Sequence, residues 1–198
     1  LEIRTLGGLS LRVDGEPLED MGSRKAEALL VYLAVEGGQQ SRHVLATLLW
    51  PESDEAHAAT SLRVALSVLR RNLGDYVDIS RDTVRIRPES AVCLDVSDLA
   101  GMLTRGEVDG ALEVYRGSFL QGFTVRGSAA FEDWMRCEQE RVRRSVVGAL
   151  QASISEEIGA GDYLRALGLT RRLLELEPLD ERAHRQCMLL LALSGHRP

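Results

Sequence analysis

The chain has 198 residues, enough for one large domain or two small ones. Its hydrophobic fraction of 44% and charged fraction of 27% are those of an ordinary globular protein, and no apolar run is long enough to span a bilayer. A formal net charge of -6 excludes bulk electrostatic attraction as the basis of any nucleic-acid binding, and three scattered cysteines (Cys93, Cys137, Cys187) give neither a disulfide framework nor a metal-ligand spacing.

Ile3, Leu6, Leu9, Leu11 and Val13 read as short strands broken at Gly7-Gly8, with Asp14-Gly15 as a tight hairpin turn before Leu18. Ser23 is placed to cap a helix over about 24–35, whose Ala26, Leu29, Leu30 and Leu33 keep helical spacing and which Gly37-Gly38 ends. Ser41 caps a second, short helix that turns Val44, Leu45, Leu48 and Leu49 inward. Trp50-Pro51 stops it, because proline disfavours helical backbone at the residue before it. A polar, acidic turn over 52–55 leads to a third helix over 60–73. There Leu62, Ala65, Leu66, Leu69 and Leu73 make one apolar stripe, while Arg63, Val64, Ser67, Arg70 and Arg71 fall on the other side. Residues 77–87 read as a β-hairpin with Val84 and Ile86 on one face and Thr83, Arg85 and Arg87 on the other.

Strands, three helices and a hairpin are the layout of a winged helix-turn-helix. Its third helix buries leucines and presents arginine and hydroxyl groups, the residue types that contact base edges and phosphates. Between Ser61 and Arg87 six arginines stand against three aspartates, a local balance of +3 inside a negative chain. Arg24 and Lys25 sit at a helix start, where cations oppose the dipole; a phosphate, Glu27 or Asp20 would offset them. Trp50 and Trp134 read as core residues.

From Asp95 onward the period is helical. Val96, Leu99 and Leu103 open one helix, ended near Gly106; Val108, Ala111, Leu112 and Tyr115 form a second. Residues 116–123 break the pattern as an ordered loop with buried aromatics. A long helix over about 129–158 carries Phe131, Trp134, Met135, Val142, Val146, Leu150 and Ile154, and Gly159 and Gly161 end it. Tyr163 to Leu176 make the next helix, stopped by Pro178, and a last one runs over about 181–193 with Gly195 as its stop. The Gly161-Asp162-Tyr163 turn and the proline between helices form a tetratricopeptide-like pattern, with a fainter copy at 106–112. The fold class expected is therefore mainly α: a winged helix-turn-helix with a small β-sheet and hairpin over 1–92, then an all-α tetratricopeptide-like domain over 93–198. With no flexible linker at 90–93, the two are expected to pack closely.

Several segments carry a family resemblance. Leu6-Gly7-Gly8, Ser23-Arg24-Lys25-Ala26, Leu48-Leu49-Trp50-Pro51, Leu62-Arg63-Val64-Ala65-Leu66 and Leu69-Arg70-Arg71 resemble the DNA-binding domain of the Streptomyces antibiotic regulatory protein family. Tyr115-Arg116-Gly117-Ser118-Phe119-Leu120, Glu132-Asp133-Trp134, Gly161-Asp162-Tyr163 and Glu177-Pro178-Leu179-Asp180-Glu181 resemble its adjoining bacterial transcriptional activator domain. The resemblance implies a cytoplasmic transcriptional activator whose OmpR-like winged helix binds tandem sites on double-stranded DNA. RNA polymerase contact or homodimer formation would fall to the helical domain. It places Thr60, Ser61, Arg63, Val64 and Ser67 toward bases and Arg70 and Arg71 near phosphate; Arg85 and Arg87, on the basic face of the hairpin, read from the residues themselves as further phosphate anchors. Relatives often carry Asn where Ser61 stands, and the shorter hydroxyl changes its reach.

Neither a phosphate-binding Gly-Lys-Ser/Thr loop nor a catalytic Ser/His/Asp or Cys/His set is legible, and His43, His57, His184 and His196 share no ligand spacing. No enzyme activity, metal, cofactor or membrane partner is expected, and the cysteines read as buried thiols of a reducing cytosol. The chain starts without Met, as a piece of a longer regulator would. The rival reading is a helical-repeat module that binds protein or senses a ligand without touching DNA.

Overall fold

The computed structural model describes residues 1–18 and 21–194. Gly195 and His196, and the Asp20 considered above as a partner for Lys25, lie outside the described residues. The chain divides into two compact units, Leu1–Leu99 with Val114–Glu140, and Ala100–Glu113 with the chain from Arg141 onward.

The first unit opens with three antiparallel strands, β1 (Glu2–Arg4), β2 (Ser10–Val13) and β3 (Glu16–Pro17), joined by the Asp14-Gly15 turn. Ile3 pairs with Leu11 across β1 and β2. A fourth strand, β7 (Cys93–Leu94), adds in parallel on the far edge of β1, giving the order β3-β2-β1-β7. Three helices follow the first strands: α1 (Arg24–Glu36), α2 (Arg42–Leu49) and α3 (Glu55–Leu73). The hairpin of β5 (Val77–Ile79) and β6 (Thr83–Ile86) gains a short third strand, β4 (Gln40–Ser41), in the order β4-β6-β5. This is the winged helix-turn-helix anticipated from the periodicity, with β4 and β7 as additions too short to leave an alternation signal.

Each helix starts at a side-chain cap. Ser23 accepts from the Ala26 amide, Ser41 from His43, and Asp54 from His57, satisfying donors that the first turn leaves unpaired. The Asp54 cap moves the start of the third helix from 60 to Glu55. Residues 55–59 carry only alanine as apolar content, so the periodicity missed this turn, although Ala58 is buried. Val44, expected inward, is 46% exposed. On this short helix Leu45, Ala46 and Leu49 supply the buried face, and Val44 falls off it. The stripe of Leu62, Ala65, Leu66, Leu69 and Leu73 is buried as read, packed toward α1, α2 and β5, and the structure adds Ala58 to it.

The second unit contains the paired helices α7 (Tyr163–Leu176) and α8 (Glu181–Leu193). Before them run α4 (Asp95–Thr104), α5 (Val108–Val114) and α6 (Ala129–Ala160). Tyr115, read as part of the second of these helices, is buried just beyond its end. Ala166, Leu167 and Leu190 form the α7–α8 core, with Ile158, Tyr163 and Cys187 packed against it. Asp162 and Asp180 cap the two helices. Arg165 reaches Asp109 at 2.7 Å and Glu157 at 2.6 Å, tying α5, α6 and α7 together. A helix hairpin with an alanine at its close-packing site, set off by Gly161 and Pro178, is the tetratricopeptide-like arrangement.

The buried-thiol expectation fails: Cys93 and Cys137 are exposed and Cys187 is half-buried. Cys93 sits on an edge strand with its side chain outward, and Cys137 falls on the solvent side of α6. Among the described residues no helix is long and apolar enough to cross a membrane, and no cluster of His, Cys, Asp and Glu could hold a metal ion.

Leu69 is wholly buried at the centre of the α3 stripe. Leu69→Ala is expected to cost about 2–5 kcal/mol by urea unfolding, from lost transfer energy plus a residual cavity.

Candidate nucleic-acid interface

The leucine face of α3 dictates what its other face presents. At about 100° per residue, Thr60, Arg63, Val64, Ser67, Arg70 and Arg71 fall within an arc of roughly 120°. All six are exposed, and Val64, at 63%, puts an apolar contact among the polar ones. Ser61 lies outside this arc and is half-buried at the edge of the leucine face. The Thr60 hydroxyl donates to the Ala56 carbonyl at 2.9 Å, which holds it close to the helix backbone. Arg63 makes no hydrogen bond or ion pair among the described residues. Arg70 reaches the Ile79 carbonyl only at 3.5 Å, and Arg71 reaches Asn72 at 3.4 Å. These arginines are therefore held loosely or not at all, and each can turn toward an anion at little cost.

The hairpin differs. Arg85 is ion-paired with Asp78, its partner across β5 and β6, at 3.0 Å. Arg87 donates to the Val77 carbonyl at 3.3 Å and is half-buried. Arg81, in the turn between the strands, is exposed and unpaired among the described residues. The sequence reading counted Arg81 in the local charge without naming it as a contact. Its position in the two-residue turn was the available signal.

The start of α3 carries a fixed negative charge. The Asp54 carboxyl is held below the usual carboxylate range, first by the His57 backbone N–H and then by the His57 ring, whose Nδ1 lies 2.6 Å away. The two terminal-turn arginines sit at the opposite end of the helix, where cations favour the dipole.

Arg24 and Lys25 are used inside the unit. Arg24 pairs with Glu27 at 3.0 Å and lies over the Phe123 ring. Lys25 donates to the Leu49 carbonyl at 2.6 Å and the Gly127 carbonyl at 3.2 Å, with the Trp50 ring 5.1 Å away. Burial lowers its pKa, and nearby Glu52 opposes that. The buried Ser128 hydroxyl also donates to the Leu49 carbonyl, at 2.6 Å. The end of α2 and the turn into α3 are thus fastened to residues 127–128, far along the chain. Trp134 donates to Glu36 at 2.6 Å and packs against Tyr32, Phe119 and Phe131; like Trp50, it is half-buried.

The chain leaving β1 is fastened in the same way. The Asp95 carboxylate accepts from the Thr5 amide and hydroxyl and from the Leu6 amide, at 2.7–2.9 Å. Gly7 donates to the Ser118 carbonyl at 3.1 Å, and Leu120 to the Thr5 carbonyl at 2.7 Å. Gly7 has φ +84°, and a Cβ there would stand 3.2 Å from the Arg116 backbone. The two glycine motifs, Gly7-Gly8 and Arg116-Gly117-Ser118, therefore meet backbone to backbone.

Residues 97–198 match the bacterial transcriptional activator domain. The chain belongs to that family. Its segment 114–140 contributes to the same compact unit as the winged helix. No curated protein matches the chain. Among solved structures it is similar to "Mycobacterium tuberculosis EmbR in complex with low affinity phosphopeptide", with a TM-score of 0.69 and 20% identity. That match covers 98% of this chain and 55% of the EmbR chain, so this chain spans about half of the protein it resembles. The shared fold is the winged helix followed by the activator domain, the arrangement of the Streptomyces antibiotic regulatory protein type.

Ser128→Ala is expected to cost about 0.5–1.5 kcal/mol, because one buried hydrogen bond is lost while Lys25 still satisfies the Leu49 carbonyl. Chemical denaturation measures the loss. Amide exchange of Trp50 and Ser53 should quicken with it if Ser128 fastens that turn.

Proposed function

We propose that this chain is a sequence-specific DNA-binding transcriptional activator. The observation that carries the reading is the exposed arc of α3, set opposite a fully buried leucine face. Residues 1–92 act as the DNA-binding domain and 93–198 as the activator domain, although 93–99 and 114–140 pack within the first unit. In the major groove Arg63 and Ser67 read base edges, with Thr60 and Val64 beside them and half-buried Ser61 only at the margin of the arc. Arg70 and Arg71 take phosphates, and Arg85 and Arg87 supply the basic edge of the wing with Arg81 at its tip.

The net charge of -6 sets a constraint on this mechanism. General attraction to DNA is weak, so affinity rests on fitted contacts and on two copies occupying tandem sites. The helical domain then sets the spacing of the copies or touches RNA polymerase. This work belongs in the cytoplasm and needs no catalytic group or cofactor.

Selection from a random DNA pool, followed by binding titrations at several salt concentrations, tests the reading. Enrichment of a tandem motif is expected; recovery of no motif overturns it. Arg63→Ala should cost about 1–3 kcal/mol on the selected site and little on random DNA. Arg71→Ala should weaken both alike and lower the salt slope by about 0.9. Equal loss of specificity from the two variants would sink this division of labour.

A further inference from the structure

A cavity of about 370 Å3 lies between α2 and α3. That volume is in the range of small-molecule sites. The space exists because alanines stand at 46, 58 and 59, where larger side chains would close it. Leu62 continues the apolar lining and Trp50 supplies an aromatic wall. Two arginines belong to the same lining: Arg42, the first residue of α2, and Arg63. The Nε of Arg42 is buried without an acceptor, and Arg63 has no partner among the described residues. Buried donors normally find acceptors. The opposing charge on the lining is the carboxylate of Glu55; His43 stands beside Arg42. The balance of fixed charge is positive over an apolar, ring-sized space.

We infer that this cavity binds a small amphipathic anion: an aromatic or branched apolar body bearing one carboxylate. The body lies over Ala46 and Ala58 against the Trp50 ring. The carboxylate takes donors from the Arg42 and Arg63 guanidinium groups, whose planar forks suit it. A compact molecule fits better than a protein segment, because the apolar lining is a few residues across and both arginines lie along it. Arg63 also stands on the exposed arc of α3, so occupancy holds it away from DNA. Ligand and DNA then weaken each other by the same factor. This last step rests on the DNA-binding reading; binding of the anion does not.

The test uses the 198-residue chain without DNA. Benzoate, 2-naphthoate, indole-3-acetate and 4-methylpentanoate, each with its neutral amide, are titrated by ligand-observed NMR. At least one carboxylate is expected to bind saturably, about tenfold or more tighter than its amide, equivalent to about 1.4 kcal/mol. Arg42→Gln should remove that preference. Ala59→Leu, at an exposed position that leaves the core intact, should fill the cavity and abolish binding while the thermal melt stays unchanged. No saturable binding by any carboxylate, equal binding of the amides, or unchanged binding to Ala59→Leu overturns the inference. So does an acidic peptide that binds here when no carboxylate does. A carboxylate that binds without shifting DNA affinity overturns the opposition of ligand and DNA. Absence of DNA binding with the site empty overturns the DNA reading instead, leaving the anion site standing.

Discussion

Burial of the α3 leucine stripe is the constraint on which the rest of this structure depends. Ala58, Leu62, Ala65, Leu66, Leu69 and Leu73 leave the helix one rotation about its axis that removes them all from water. Each large side chain contributes on the order of 1.5–3 kcal/mol to that choice. Once the rotation is set, Thr60, Arg63, Ser67, Arg70 and Arg71 have nowhere to go but outward. The exposed polar arc follows from the apolar face, and no separate device is needed to orient it.

A second layer of fastening keeps the frame of that helix in place. Lys25 and Ser128 both donate to the Leu49 carbonyl, at the end of α2. Asp95 takes the backbone donors of Thr5 and Leu6, and Gly7 admits the backbone of residues 116–118. These contacts use atoms that would otherwise be unpaired where a helix or strand stops. They also explain why residues 114–140, which lie in the family's activator segment, pack with the winged helix. The join combines these hydrogen bonds with an apolar cluster, in which Trp134 packs against Tyr32 and the side chains of Phe119, Phe123 and Phe131 are buried.

Much of the fold was legible in the sequence because periodicity and caps are local. Ser23 and Ser41 mark helix starts that the structure keeps, and the leucine spacing on α3 places Leu62, Ala65, Leu66, Leu69 and Leu73 in the core, while buried Ala58 lies in the turn that spacing does not reach. The start of α3 was misread because Ala56, His57 and Ala59 carry no apolar signal, while the Asp54 cap alone begins the helix. Val44 was misplaced because an eight-residue helix has too few turns to fix a face by pattern. The exposed thiols of Cys93 and Cys137 went against residue-type preference, which says nothing about which side of a strand or helix a given position takes.

The candidate interface divides in the same way. The sequence alone determined which residues of α3 share a face, since that depends only on 3.6 residues per turn. Tertiary structure decided which of the basic groups are free to act. Arg85 is matched by Asp78 across the hairpin, Arg24 and Lys25 are drawn into the unit, and Arg63 and Arg81 are left unpaired among the described residues. It also opened the space between α2 and α3, which no linear pattern encodes. Pairing and cavities depend on distances between residues far apart in the chain, and only the packed structure sets those distances.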